Sequence, residues 1–139
     1  MQLCQHQQAI PRAWPANIGY TRNFFAFTPI LLQVKKVYIK QNAWIARLAA
    51  RKLKAGNAAI VIGNTIYLHG VTRAYFLNNP AWLRHELKHV EQYRRLSIPI
   101  FIIVYLYQCL RFGYTHAPLE LAACQAEADE QITENYQIT

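Results

Sequence analysis

The chain contains 139 residues, of which 53% are hydrophobic and 16% are charged, and this composition excludes an intrinsically disordered protein. The length suits a single domain that can bury a substantial core. Fifteen basic and seven acidic residues give a net charge of +8, which favours anionic partners without choosing among them.

The beginning of the chain gives the weakest structural signal. Residues 1–30 hold three prolines and scattered aromatic residues, which predict an irregular N-terminal wrap. Residues 1–20 lack a continuous hydrophobic region, so no secretory signal is predicted and a cytoplasmic location is expected. The three cysteines, Cys4, Cys109 and Cys124, contain no C-x-x-C pair, so neither a disulfide framework nor a cysteine zinc site is expected.

The first regular elements are predicted between residues 31 and 54. Residues 31–39 suggest a short extended piece. Apolar side chains recur at helical spacing over residues 42–54, which predicts an amphipathic helix. Gly56 is the expected helix stop.

A β-hairpin is predicted next. Residues 58–62 and 65–68 are rich in β-prone side chains and are separated by Gly63-Asn64, a strong two-residue turn signal. An exposed sheet edge beside a metal site can hold an extended peptide by strand addition. The alternative is that the hairpin only packs against the following helix.

The most informative motif is His85-Glu86-x-x-His89, on a helix that Asn79 would cap and Pro80 would open. The spacing places two imidazoles one helical turn apart on the same face, which is half of a zinc site. Glu86 is then placed to act as a general base toward water. The alternative is a solvated, charged helix face with two incidental histidines.

Residues 98–110 form the only strongly apolar run of the second half of the chain. The run is shorter than the roughly 20 residues that span a bilayer, so a buried helix packed behind the metal helix is predicted. Arg94, Arg95 and Arg111 flank it and leave a peripheral membrane contact open.

A catalytic zinc usually takes a third protein ligand. Pro118 would open a helix of small side chains, from which Glu120 could reach the metal helix. Glu127 lies on nearly the same face and is the main competitor, and His116 is another candidate.

Two further side chains could donate to developing negative charge: Tyr114, which we expect to act in catalysis, and Arg73. The polar tail, residues 130–139, is expected to fray.

The chain resembles small bacterial zincin-like proteins of unknown function, which are similar to the metallopeptidase domain associated with extracellular contractile injection systems. The resemblance covers about residues 43–128. Its motifs are Gly63-Asn64-Thr65-Ile66-Tyr67-Leu68, Thr72-Arg73, Leu83-Arg84-His85-Glu86-Leu87-Lys88-His89-Val90-Glu91-Gln92, Gly113-Tyr114 and Pro118-Leu119-Glu120.

In such proteins the His-Glu-x-x-His helix is paired with a downstream Pro-x-Glu segment. The resemblance therefore implies that His85, His89 and Glu120 are zinc ligands and that Glu86 is the base. Ala117 stands where an asparagine often precedes the proline, and Ala122 replaces a frequent second glutamate.

Together these patterns predict an α+β, zincin-like single domain over residues 1–139, with a β-hairpin or small sheet packed on the metal helix and further helices. The predicted cofactor is Zn²⁺, and the predicted function is hydrolysis of a peptide or protein substrate. Two alternatives remain: a zinc-stabilised protein-interaction module without catalysis, and a basic peripheral protein that binds membrane or nucleic acid. No specific nucleic-acid partner is predicted, because the chain has neither a basic tail nor an RNA-recognition signature. The sequence does not predict the oligomeric state.

Overall fold

The computed structural model describes residues 35–139, so the predicted wrap of residues 1–30 lies outside the described residues. The strands are β1 (Lys35–Lys40), β2 (Ala58–Ile62), β3 (Thr65–His69) and β4 (Tyr136–Ile138). The helices are α1 (Trp44–Lys52), α2 (Arg73–Leu77), α3 (Pro80–Leu96), α4 (Ile98–Phe112) and α5 (Pro118–Ala126), with 3-10 turns at Tyr114–His116 and Glu130–Asn135.

The four described strands form one mixed sheet in the order β2-β3-β1-β4. β2 and β3 are the predicted hairpin, antiparallel and joined by Gly63, whose φ of 63° suits glycine. β1 runs parallel to both of its neighbours. A small mixed sheet with several helices confirms the α+β prediction, and it leaves β2 at the edge of the sheet.

α1 and α3 form where the sequence predicts them. α1 ends at Lys52 with Leu53 as its C-cap, and Lys54 then turns the chain with a φ of 50°, so the helix stops before the expected Gly56. α3 begins as expected: the Asn79 side chain accepts a hydrogen bond from the Trp82 amide, and Pro80 occupies the first turn. One face of α3 is buried in the core with side chains of the sheet, which fixes the helix against the hairpin.

α4 forms as a helix, but the prediction that it is buried is wrong. Of its side chains only Phe101 is buried, and Leu110 is 89% exposed. The physical reason is the junction at Ser97, where a φ of 65° breaks the helix and turns α4 by 117° from α3. α5, with its small side chains, packs along α3 instead.

Within residues 35–139, no single helix is both long and apolar enough to cross a membrane. Only the bent pair of α3 and α4 passes that test, and it does so by length and composition alone.

The expectation that the end of the chain frays is also wrong. Asp129 accepts a hydrogen bond from the Gln131 amide and opens a 3-10 turn, and β4 then pairs with β1. Ile132 and Tyr136 are buried in the core. These two apolar anchors and the free edge of β1 order a segment that otherwise looks polar.

Candidate metal centre

α3 presents two imidazoles to one face, and α5 supplies a carboxylate opposite them. His85 Nε2 lies 3.5 Å from one oxygen of Glu120, and His89 Nε2 lies 3.5 Å from the other. The nearest ligand atoms of the three side chains all lie within 4.8 Å of one another, so the group could hold a metal ion. The structure thus brings together the three side chains predicted as ligands.

The two 3.5 Å separations between the histidine Nε2 atoms and the Glu120 oxygens fit ligands of a shared metal ion better than they fit direct hydrogen bonds. An N–H···O hydrogen bond usually spans about 2.7–3.2 Å, shorter than either separation. Two ligand atoms of a tetrahedral zinc ion, each about 2.0–2.1 Å from the metal, are separated by roughly 3.3 Å. The donor set of two imidazoles and one carboxylate is also one that transition metals favour.

Each candidate ligand is held by a neighbouring side chain. His85 Nδ1 lies 3.1 Å from Glu127 Oε1, and His89 Nδ1 lies 2.9 Å from Gln92 Oε1. A carboxylate and an amide oxygen only accept, so the imidazoles donate from Nδ1 and turn Nε2 toward the site. Tyr105 donates to Glu120 over 2.6 Å.

Two glutamines fix the start of α5, and with it Glu120. Gln92 donates to the Leu119 carbonyl, and the Leu119 amide donates to Gln108 Oε1, each over 2.9 Å. Helix N-termini leave amide groups without partners, and Ala117 has no side chain that could cap them. Gln108, from α4, therefore replaces the missing cap.

Glu127, the predicted competitor for the third ligand, lies on the Nδ1 side of His85 and supports that ring. A second group of possible ligand atoms joins His85, Cys124 and Glu127. Cys124 is disulfide-bonded, so it offers no thiolate to that group. His116 is exposed and Arg73 is absent from the lining of the cavity described below, so neither joins the site.

The charges of the site are strongly coupled. Burial alone would lower the pKa of His85, but the carboxylates of Glu120, Glu86 and Glu127 raise it to about 9. Burial would raise the pKa of Glu120, but both histidines and the Tyr105 hydroxyl outweigh it and lower that pKa. Glu120 is therefore an anion at neutral pH, as a metal ligand must be.

Glu86 is buried beside the ligands and keeps one defined contact. Trp82, one turn earlier on α3, donates from Nε1 to Glu86 Oε1 over 3.0 Å. Burial raises the pKa of Glu86, although the nearby histidines oppose that shift. A carboxylate with a raised pKa can both take and return a proton near neutral pH.

A largely apolar cavity of about 260 Å³ opens onto this group. Its lining includes residues 59–62 of β2, Phe101, Ile102 and Leu106 of α4, and Tyr114. Burial and the carboxylates of Glu120 and Glu86 raise the pKa of Tyr114, so its hydroxyl stays protonated and can donate. Tyr114 thus shares the cavity with Glu86.

Sequence reasoning missed four supporting side chains: Trp82, Gln92, Tyr105 and Gln108. Gln92 could have been found, because it follows His89 by three residues on the same helix face. Trp82 is both buried and a donor to Glu86. The two α4 residues depend on the turn at Ser97, which no local pattern predicts.

Metal binding should expel a proton at neutral pH. With a pKa of about 9, His85 is mostly protonated at pH 7 before the metal arrives, and a ligand nitrogen must be free. Zinc affinity should therefore rise with pH until about pH 9. Calorimetric titration in buffers of different ionisation enthalpy should show roughly one or more protons released per zinc at pH 7, and a release near zero would contradict this charge assignment.

Comparison of the chain with protein-family models, with curated proteins and with solved structures finds no match.

Proposed function

We propose that the protein is a zinc-dependent hydrolase of peptide bonds with a zincin-like active site. The observation that carries the proposal is the position of Glu86, buried between two candidate ligands and lining an open cavity. A site that served only to stabilise the fold would have no need of a carboxylate beside the ligands that is not itself a ligand.

Zinc suits this donor set. His85, His89 and Glu120 would supply three protein ligands, and the cavity beside them has room for water or substrate, which is typical of catalytic rather than structural zinc. A divalent cation would also offset the buried negative charge of Glu120 and Glu86. When bound, zinc would polarise the substrate carbonyl and make water a better nucleophile at neutral pH.

The protein side chains then handle protons and charge. Glu86 takes a proton from the attacking water and delivers it to the leaving amine nitrogen, while Trp82 keeps its carboxylate in place. The Tyr114 hydroxyl donates a hydrogen bond to the substrate carbonyl oxygen as negative charge develops on that oxygen. Glu127 and Gln92 keep the two imidazoles oriented throughout.

The edge strand offers a place for an extended substrate. β2 pairs only with β3 in the described sheet, and residues 59–62 line the cavity. A peptide added along this edge would gain main-chain hydrogen bonds and pass over the metal site. Its side chains would meet the apolar wall formed by Phe101, Ile102 and Leu106. Peptides with large apolar residues are thus the expected substrates.

The test is a cleavage assay with a broad peptide library, followed by mass spectrometry. Protein purified with about one zinc per chain should cleave, chelator-treated protein should not, and added zinc should restore cleavage because it restores the Lewis acid. If protein with a full equivalent of zinc cleaves no peptide, the peptidase proposal is wrong. A zinc-stabilised interaction module then becomes the better interpretation.

A further inference from the structure

α4 carries an apolar stripe on its outer face, formed by Ile100, Ile103, Leu106, Tyr107 and Leu110. These side chains recur three or four residues apart, so they share one face of the helix. Each is between 52% and 89% exposed. A contiguous surface of large apolar side chains on a described face of a folded chain marks an interaction site.

The charges around the apolar stripe are positive. Arg94 lies in the last turn of α3, before the stripe, Arg111 lies in the last turn of α4, and both are exposed. Residues 92–119 contain no acidic residue, and the first acidic residue of the whole chain is Glu86. An anionic partner is therefore complementary to this face.

A basic side chain thus lies on each side of the stripe in the sequence, with Arg94 before Ile100 and Arg111 after Leu110.

We propose that the apolar stripe of α4 docks on the surface of an anionic phospholipid bilayer, with Arg94 and Arg111 against the headgroups. Apolar side chains framed by cations match the boundary between acyl chains and anionic headgroups. A nucleic acid would pair its phosphates with the arginines but would leave the apolar stripe exposed to water. A second copy of this chain would bury the apolar stripe but would bring the arginines of the two copies close together.

Docking in this orientation has a consequence for the cavity. Leu106 belongs to the stripe and also lines the cavity, so the cavity would open close to the bilayer surface. The proposal is argued from the exposed side chains of α4 and does not depend on peptide hydrolysis. Vesicle binding therefore tests it separately from the cleavage assay.

The test is flotation of the full chain with vesicles of phosphatidylcholine, alone or with about 30% phosphatidylglycerol. The protein should float with the anionic vesicles only. The double variant Ile103→Ser, Leu110→Ser should bind at least about tenfold more weakly, because two apolar side chains no longer insert. Arg111→Gln should bind roughly fivefold more weakly, as one surface cation is lost.

Tyr75→Ser is the matched control, since Tyr75 is 60% exposed on α2, outside the stripe, and this variant should float like the wild type. Leu110→Ser alone serves if the double variant does not fold. Absence of flotation with anionic vesicles would overturn the proposal, as would flotation unaffected by the loss of the apolar side chains. A dimer that Leu110→Ser dissociates, without vesicle binding, would assign the stripe to a second copy.

Discussion

Glu86→Gln is expected to keep its zinc and to lose peptide cleavage by at least about 100-fold, the lower bound for removing a general acid–base group. Glutamine has nearly the same shape and can still accept the hydrogen bond that Trp82 Nε1 donates to Oε1. It cannot take a proton from water at neutral pH. The measurements are zinc content per chain and the initial rate on the best peptide found in the library.

Glu91→Gln is the matched control, because Glu91 lies on the same helix but pairs with Lys88 and Arg95 away from the site. It should keep both zinc and activity. Equal rates for wild type and Glu86→Gln would remove Glu86 from the mechanism. Loss of zinc from Glu86→Gln would instead make this carboxylate a part of the metal site.

Glu120→Ala is expected to empty the metal site, whereas Glu127→Ala should weaken zinc binding by only about 10- to 100-fold, as is typical for a residue that orients a ligand. Glu120 faces Nε2 of both histidines, while Glu127 lies 3.1 Å from Nδ1 of His85. Competition with a chelator of known affinity measures both effects.

Glu134→Ala provides a control for loss of one negative charge, since Glu134 is exposed in the second 3-10 turn. Its zinc affinity should equal that of the wild type. A larger effect for Glu127→Ala than for Glu120→Ala would exchange the two assignments. Glu120→Gln separates charge from shape, because the amide oxygen can still accept from Tyr105.

Those parts of the fold and site that depend on local geometry could be predicted from the sequence. The spacing of His85 and His89 fixes their common helix face, and Asn79 and Gly63 mark the start of a helix and a turn through their own chemistry. Glu120 lies on a different helix, yet it could be proposed because acidic residues are scarce and α5 begins with a proline beside small side chains.

The features that could not be predicted depend on tertiary contacts. The hydrophobicity of α4 predicts that its side chains are buried. The direction in which α4 leaves α3 depends on the backbone at Ser97, where φ is 65°, and the sequence does not predict that conformation. That direction also brings Tyr105 to Glu120 and Gln108 to Leu119. β4 is three residues long, and it becomes a strand because β1 offers it an edge.

The position of β1 between β3 and β4 has a consequence for how the protein folds. Lys35 is in register with Tyr136, so the interior strand of the sheet obtains its second neighbour only after the intervening residues 41–135 have been synthesised. Such distant pairings cost loop-closure entropy before they stabilise anything, and they slow folding. Until then one backbone edge of β1 lacks its native partner, which makes the incompletely folded chain vulnerable to misassociation.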